Sequence, residues 1–142
     1  MSDDVLRFHF DIDGDDFSSA GEASVSVKKK LRQLGFSPEV IRKVSIAMYE
    51  GEINMVIHAS GGEADVEIYP QKIRILLSDK GPGIPDIDLA MQPGYSTASD
   101  SVRSMGFGAG MGLSNMNRNT DCMKIETEIG VGTKIKMDVH VQ

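Results

Sequence analysis

The sequence predicts an α+β domain, an α/β sandwich with helices on one face of a mixed, mainly antiparallel sheet. Three observations predict it. Apolar residues recur at three- and four-residue spacings through residues 17–58, the period of helices with one buried stripe. Alternation with period two marks residues 5–10, 66–77 and 133–141 as strands. The resulting order is strand, two helices, two strands, a long loop, a helix and two strands. It groups helices and strand pairs instead of alternating them.

The elements follow in order. Val5-Leu6-Arg7-Phe8-His9-Phe10 alternates as a first strand, and Asp11 to Asp16 reads as an acidic turn containing Gly14. A helix follows from Phe17 to Leu34, with Ala20, Ala23, Val27, Leu31 and Leu34 as its buried stripe and Gly35 as its left-handed cap. Ser37-Pro38 opens a second helix, serine as N-cap and proline at the first helical position. It runs to His58 on a stripe of Val40, Val44, Ala47, Met48, Ile53 and Ile57, and Ser60-Gly61-Gly62 ends it. Two strands flank Tyr69-Pro70-Gln71, one carrying Val66 and Ile68, the other Ile73, Ile75 and Leu77. The Gly- and Ser-rich stretch from Gly81 to Gly110, broken by a short helix at Asp86 to Met91, is long for a small domain, and such loops are functional or mobile. Gly112 to Asn119 is helical. Lys124 to Ile129 and Thr133 to Val141 close the chain as a hairpin.

The 142 residues fit one domain, 1–142. Fifteen basic against 21 acidic residues give a net charge of −6, which argues against non-specific binding to nucleic acid or an anionic membrane. One cysteine, Cys122, leaves no intrachain disulfide framework or cysteine metal site. No apolar run reaches membrane-spanning length, and Met1-Ser2-Asp3-Asp4 has no signal-peptide character. The expected location is the cytoplasm.

Chemistry concentrates in four ordered segments. Glu50 and Asn54 lie four apart on the second helix, so both project from one face. A carboxylate can take a proton and an amide oxygen can hold a hard cation such as Mg²⁺; a solvated polar face is the plain alternative. Gly51 between them costs about 1 kcal/mol against alanine, which suggests close packing or a nearby ligand. Asp79 ends a strand on the face of Ile73, Ile75 and Leu77, where an unpaired carboxylate is costly. The exocyclic amine of adenine would satisfy it, with Gly81 and Gly83 letting the backbone approach a flat ring. A Gly-Pro-Gly surface turn capped by Asp79 is the other reading. The run Gly106-Phe107-Gly108-Ala109-Gly110-Met111-Gly112 opens a helix and offers amides to phosphate, or serves as a linker. It has no lysine at the spacing of a Walker A loop. Gly130-Val131-Gly132-Thr133 is a tight turn that could bring the Thr133 hydroxyl beside Asp79. Asp11, Asp13, Asp15 and Glu22 occupy calcium-loop positions, but Asp16 stands where that loop needs glycine. His9, His58 and His140 show no metal-ligand spacing.

Together these segments resemble the GHKL (HATPase_c-like) ATP-binding superfamily. Within it they are most similar to the small bacterial anti-sigma-factor and switch serine/threonine kinases. The closest stretch runs from Ser78-Asp79-Lys80-Gly81-Pro82-Gly83-Ile84-Pro85-Asp86-Ile87 through Gly94-Tyr95-Ser96-Thr97. The resemblance implies a Bergerat-type fold binding ATP and Mg²⁺ under a lid. It implies Glu50 as general base, Asn54 as Mg²⁺ ligand, and Asp79 at the adenine amine with Thr133. Gly81, Gly83 and Ile84 would border the base, and Ser96 and Thr97 would begin the lid. Gly108, Gly110, Met111 and Gly112 would meet phosphate. Arg103 is the one lid residue with a cationic fork for the γ-phosphate, Ala98 stands where some relatives have lysine, and Ser104 to Phe107 is extra length. The sequence lacks the His-Arg-Asp and Asp-Phe-Gly motifs of eukaryotic-type kinases.

Two functions follow. The first is an ATP- and Mg²⁺-dependent protein serine/threonine kinase that phosphorylates a small STAS-like regulator. The second is an ATP-gated switch that binds a STAS-domain antagonist, a sigma factor or a phosphatase without required turnover. Neither involves nucleic acid or membrane directly; homodimers are common in the family this chain resembles, and the sequence itself does not fix the oligomeric state.

Overall fold

Alternation in the first strand places Phe8, Phe10 and Ile12 against the core and Arg7, His9, Asp11 and Asp13 outward. The structure, a computed structural model, describes residues 5–14, 20–59, 61–84, 87, 91 and 112–141. Strand β1 (Leu6–Asp13) is followed by helices α1 (Glu22–Gln33) and α2 (Pro38–His58). Strands β2 (Gly61–Ile68) and β3 (Lys72–Asp79), helix α3 (Gly112–Arg118), and strands β4 (Cys122–Glu128) and β5 (Gly132–His140) complete the order. The sheet runs β1-β2-β3-β5-β4. All four pairings are antiparallel, so the sheet expected as mixed carries no parallel pair among the described residues.

The helices have local causes. Ser37 caps α2 by accepting the Val40 N–H at 3.3 Å, with Pro38 at the first helical position, as expected. At the end of α1 the Gly35 and Phe36 amides reach the carbonyls of Arg32 and Leu31, a Schellman closure at a left-handed Gly35 (φ 83°). Phe36 then packs on the core.

Helix α2 is the central element. Ile41, Val44, Met48 and Met55 are buried along one line that also contains Gly51. Leu31 and Val27 of α1, Ile73 and Ile75 of β3, Met137 and Val139 of β5 and Met116 of α3 complete the fully buried centre. The opposite sheet face is polar. There Arg74 holds Asp138 through two bonds of 2.9 and 3.2 Å, keeping that carboxyl below its ordinary range.

Several expected boundaries shift. Asp11 and Asp13 belong to β1, paired with Glu63 and Gly61, instead of forming an acidic turn. An extended strand cannot wrap a cation, so the calcium-loop pattern is not realised there. Gly61 and Gly62 start β2 instead of merely ending α2. Leu34 is 48% exposed and drops out of the α1 stripe, because it is the C-cap residue beyond the last helical turn. The expected helix at Asp86 to Met91 lies largely outside the described residues.

Candidate active site

The first cluster forms where α3 crosses α2. Glu50 and Asn54 project from the same side of α2, and α3 meets both. Asn115 donates from Nδ2 to Glu50 Oε2 at 2.8 Å. One turn along α2, a Cβ built on Gly112 would stand 3.0 Å from Asn54 Oδ1 and 3.2 Å from Nδ2. A side chain there would push the Asn54 amide aside by a few tenths of an ångström, so glycine lets the start of α3 lie this close without displacing it. Gly51 has a different cause. Its missing Cβ would overlap Leu77 Cδ1, so α2 rests directly on β3 two residues before Asp79.

The second cluster gathers around Asp79, paired with Thr133 across β3 and β5. Asp79 Oδ1 accepts two backbone amides, Gly81 N at 2.9 Å and Thr133 N at 3.2 Å. Oδ2 has no hydrogen bond among the described residues. Small residues surround this carboxylate. A Cβ on Gly81 would come 2.6 Å from Ala59 Cβ, and one on Gly62 would come 3.1 Å from Asp79 Cβ. Gly83 turns with φ +86° to pass beneath the Glu128 carbonyl. The Thr133 hydroxyl meets Thr127 Oγ1 at 2.9 Å, and Thr127 Oγ1 also accepts the Ile84 N–H at 2.8 Å. Thr133 thus reaches Asp79 through its backbone, while its hydroxyl is engaged by Thr127.

The described site residues therefore fall into two groups joined by α2. Glu50, Asn54 and Gly112 form one; Asp79, Gly81, Gly83, Ile84 and Thr133 form the other. Ser96, Thr97, Arg103, Gly108, Gly110 and Met111 lie outside the described residues. Sequence reasoning missed Asn115 and Thr127, which touch the predicted residues directly. No motif flags an asparagine one turn into a short helix or a threonine on an edge strand.

It also missed Glu52, which is 2% exposed. Its carboxylate accepts the amides of Gly21 (2.8 Å), Ala23 (3.1 Å) and Ser24 (3.1 Å) at the start of α1. The available signal was its place on the line Met48–Glu52–Val56, between two buried apolar residues.

Two other features stand apart from both clusters. A hollow of about 470 Å³ is lined by Ala20, Gly21, Glu22, Ser24, Val25 and Tyr49, between the start of α1 and α2. None of these is a predicted site residue. On the outer sheet face, His9, Asp11 and Glu63 bring potential ligand atoms within 4.8 Å of one another. Cross-strand register, not sequence spacing, assembles them. His9 is held between Asp65 (2.7 Å) and Asp11 (3.1 Å), which raise its pKa above 6.5.

With this geometry in place, the family is plain. The model of the histidine kinase-, DNA gyrase B-, and HSP90-like ATPases (HATPase_c) matches residues 39–142, and the chain belongs to that family. Its relatives include bacterial anti-sigma factors and a serine/threonine-protein kinase. The anti-sigma F factor of Clostridium acetobutylicum is 35% identical over 120 residues, covering 81% of this chain and 80% of its own. That of Clostridium novyi is 34% identical over 121 residues, 81% of each. The serine/threonine-protein kinase RsbT of Bacillus subtilis is 29% identical over 109 residues, 74% of this chain and 76% of its own. A crystal structure of the RsbU and RsbW domains of Rv1364c from Mycobacterium tuberculosis shares the fold, with TM-score 0.62 and 16% identity. The match covers 96% of this chain and 32% of that one, so this chain spans about a third of it. The expected family and α+β fold are both found. No helix among the described residues is long and apolar enough to cross a membrane.

Proposed function

We propose that this protein is an ATP- and Mg²⁺-dependent serine/threonine protein kinase of the switch type, acting on a small STAS-like regulatory protein. The observation that carries the reading is the convergence of Glu50 and Asn54 on one side of α2, with α3 packed against both.

The residues fit the nucleotide and its ion. Asp79 ends β3 with Oδ1 held by two backbone amides, and its other oxygen, which has no hydrogen bond among the described residues, can take an amine donor. The Asn54 amide is a hard oxygen donor suited to Mg²⁺ shared with phosphates. Bound there, Mg²⁺ would neutralise charge on the phosphates of ATP. Asn54 holds and orients that end of the nucleotide, and Asp79 fixes the other. Glu50 takes the proton from the acceptor serine or threonine hydroxyl as its oxygen bonds to the γ-phosphorus. The bond from that phosphorus to the ADP bridging oxygen breaks. A base in this role must lie within hydrogen-bond reach of the hydroxyl.

The names of the clostridial relatives favour a second reading, in which ATP occupancy gates the binding of a sigma factor or other regulator without required turnover. One variant separates the two. Under the kinase reading Glu50→Gln keeps Mg·ATP binding in calorimetry and loses phosphate transfer to a STAS-domain substrate. Undiminished regulation by Glu50→Gln in cells would favour the gate. Absence of Mg·ATP binding by the wild type would defeat both.

A further inference from the structure

We propose that Asn115 is a positioning residue for the Glu50 carboxylate and that Arg118 fixes the orientation of the Asn115 amide. The inference rests on the kinase reading of Glu50 and deepens it. Arg118 Nη2 donates to Asn115 Oδ1 at 2.8 Å, and Asn115 Nδ2 donates to Glu50 Oε2 at 2.8 Å. An asparagine amide can face either way, and these two partners select one. In the flipped orientation the amide NH₂ would face the guanidinium and the amide oxygen would face the carboxylate, losing both bonds.

The consequence for Glu50 is geometric. Its χ angles leave the carboxylate free to swing, and a base must sit within hydrogen-bond distance of the acceptor hydroxyl. Holding Oε2 from α3 restricts that swing. Oε1 has no hydrogen bond among the described residues, so it is the oxygen left for the substrate. The backbone supports the arrangement, because Asn115 O accepts both the amide N–H (3.1 Å) and the side chain (2.8 Å) of Asn119. Gly112, three residues earlier on α3, fixes the distance to Asn54. One short helix therefore sets the base relative to the metal ligand.

The test uses the full chain with Mg·ATP and a STAS-domain substrate. Asn115→Ala should lower the single-turnover transfer rate about tenfold or more, since misplacing a catalytic group by 1 Å costs up to about a hundredfold. The Kd for Mg·ATP should stay within about threefold, because the relay touches the base and not the nucleotide. Asn115→Asp keeps the shape but removes the donor and sets two carboxylates together, so it should be slower still. Arg118→Ala should lose part of the rate and Arg118→Lys, which restores a donor to Oδ1, should recover most of it. A merely structural role would move Kd and rate together and would show no lysine rescue. A readout without turnover completes the test. The side-chain amide resonances of Asn115 should move upfield in Glu50→Gln, as a charge-assisted bond becomes a neutral one. Unmoved resonances, or transfer by both Asn115 variants within about twofold of wild type, would overturn the proposal. If the wild type transfers no phosphate, the kinase reading fails, and the resonances alone decide whether Asn115 holds Glu50.

Discussion

The carboxylate of Glu52 closes the N-terminus of α1, a helix to which it does not belong, by accepting the Gly21 amide at 2.8 Å. Gly21 stands at the N-cap position with φ 99° and has no side chain to cap with. Ala23 and Ser24 donate to the same carboxylate, so α2 supplies acceptor contacts that the N-cap Gly21 cannot. Because Glu52 lies between Glu50 and Asn54, the same turn of α2 carries the candidate chemistry outward and anchors α1 inward. The negative charge also faces the positive end of the α1 dipole.

Replacing Glu52 should therefore destabilise the fold. Glu52→Ala strands three buried amides and loses the cap, at a cost of about 3–5 kcal/mol. Glu52→Gln retains one acceptor oxygen but turns an NH₂ toward amide donors, at about 1–3 kcal/mol. Burial pushes the Glu52 carboxyl above its ordinary 4.5, against the pull of the three amides. A carboxyl raised in the folded state binds its proton more tightly there than in the unfolded chain. Its contribution is thus fully present below pH 4.5 and is lost as pH rises through the raised folded value. The deficit of Glu52→Gln relative to wild type should shrink across that range. Urea midpoints at pH 4, 5.5 and 7 measure it, and a deficit that grows with pH would show that burial does not dominate.

Gly51→Ala should destabilise despite the better helix propensity of alanine. Propensity favours the change by about 1 kcal/mol. The new Cβ, however, overlaps Leu77 Cδ1, and Leu77 of β3 is buried beneath α2 with little room to swing. Overpacking of this kind costs about 1–3 kcal/mol, so a net loss of about 1 kcal/mol is expected. In a Leu77→Val background the clash is relieved and the same substitution should become neutral or stabilising. Equal effects in both backgrounds would remove Leu77 as the cause.

Local patterns carried most of this architecture. The Ser37-Pro38 start, the Gly35 cap and the strands around Tyr69-Pro70-Gln71 are each encoded within a few residues, and each forms as read. The faces on which Glu50, Asn54 and Asp79 sit were legible because periodicity assigns a face before any contact is known. The partners across elements were not. Glu52 meets Gly21 over 31 residues and Asn115 meets Glu50 over 65, and no period reports such meetings. The sequence order also placed β1 too short, because Asp11 and Asp13 are turn-formers by composition. Pairing of Asp11 with Glu63 and of Asp13 with Gly61 overrides that preference.

Thr127 should matter to nucleotide binding although it lies on an edge strand. Its hydroxyl accepts the Ile84 amide and meets the Thr133 hydroxyl, so it ties the segment after Asp79 to β5. Thr127→Val keeps the shape and removes these bonds and the longer one to the Gly132 carbonyl (3.4 Å), leaving the Ile84 amide unpaired at a cost of about 1–2 kcal/mol. Mg·ATP affinity should fall several-fold through loosening around Gly83 and Ile84, and Thr127→Ser should restore it. Equal affinity in all three proteins would confine Thr127 to a purely local role.

Asp79→Asn offers the sharpest test of the adenine assignment. Oδ1 accepts the Gly81 and Thr133 amides, and an asparagine oxygen can accept both in the same place. The fold should therefore lose less than about 1 kcal/mol. The change falls on the other atom, where an NH₂ donor replaces the free Oδ2 acceptor. An adenine amine arriving there meets a donor instead of an acceptor, and a mismatched buried pair costs about 1–3 kcal/mol. Mg·ATP affinity should fall roughly tenfold or more, since 1.4 kcal/mol is one decade in Kd. Calorimetry beside a urea unfolding curve separates the two effects. Retained stability with lost affinity supports the assignment, whereas retained stability with unchanged affinity would leave Asp79 as a cap for its own turn.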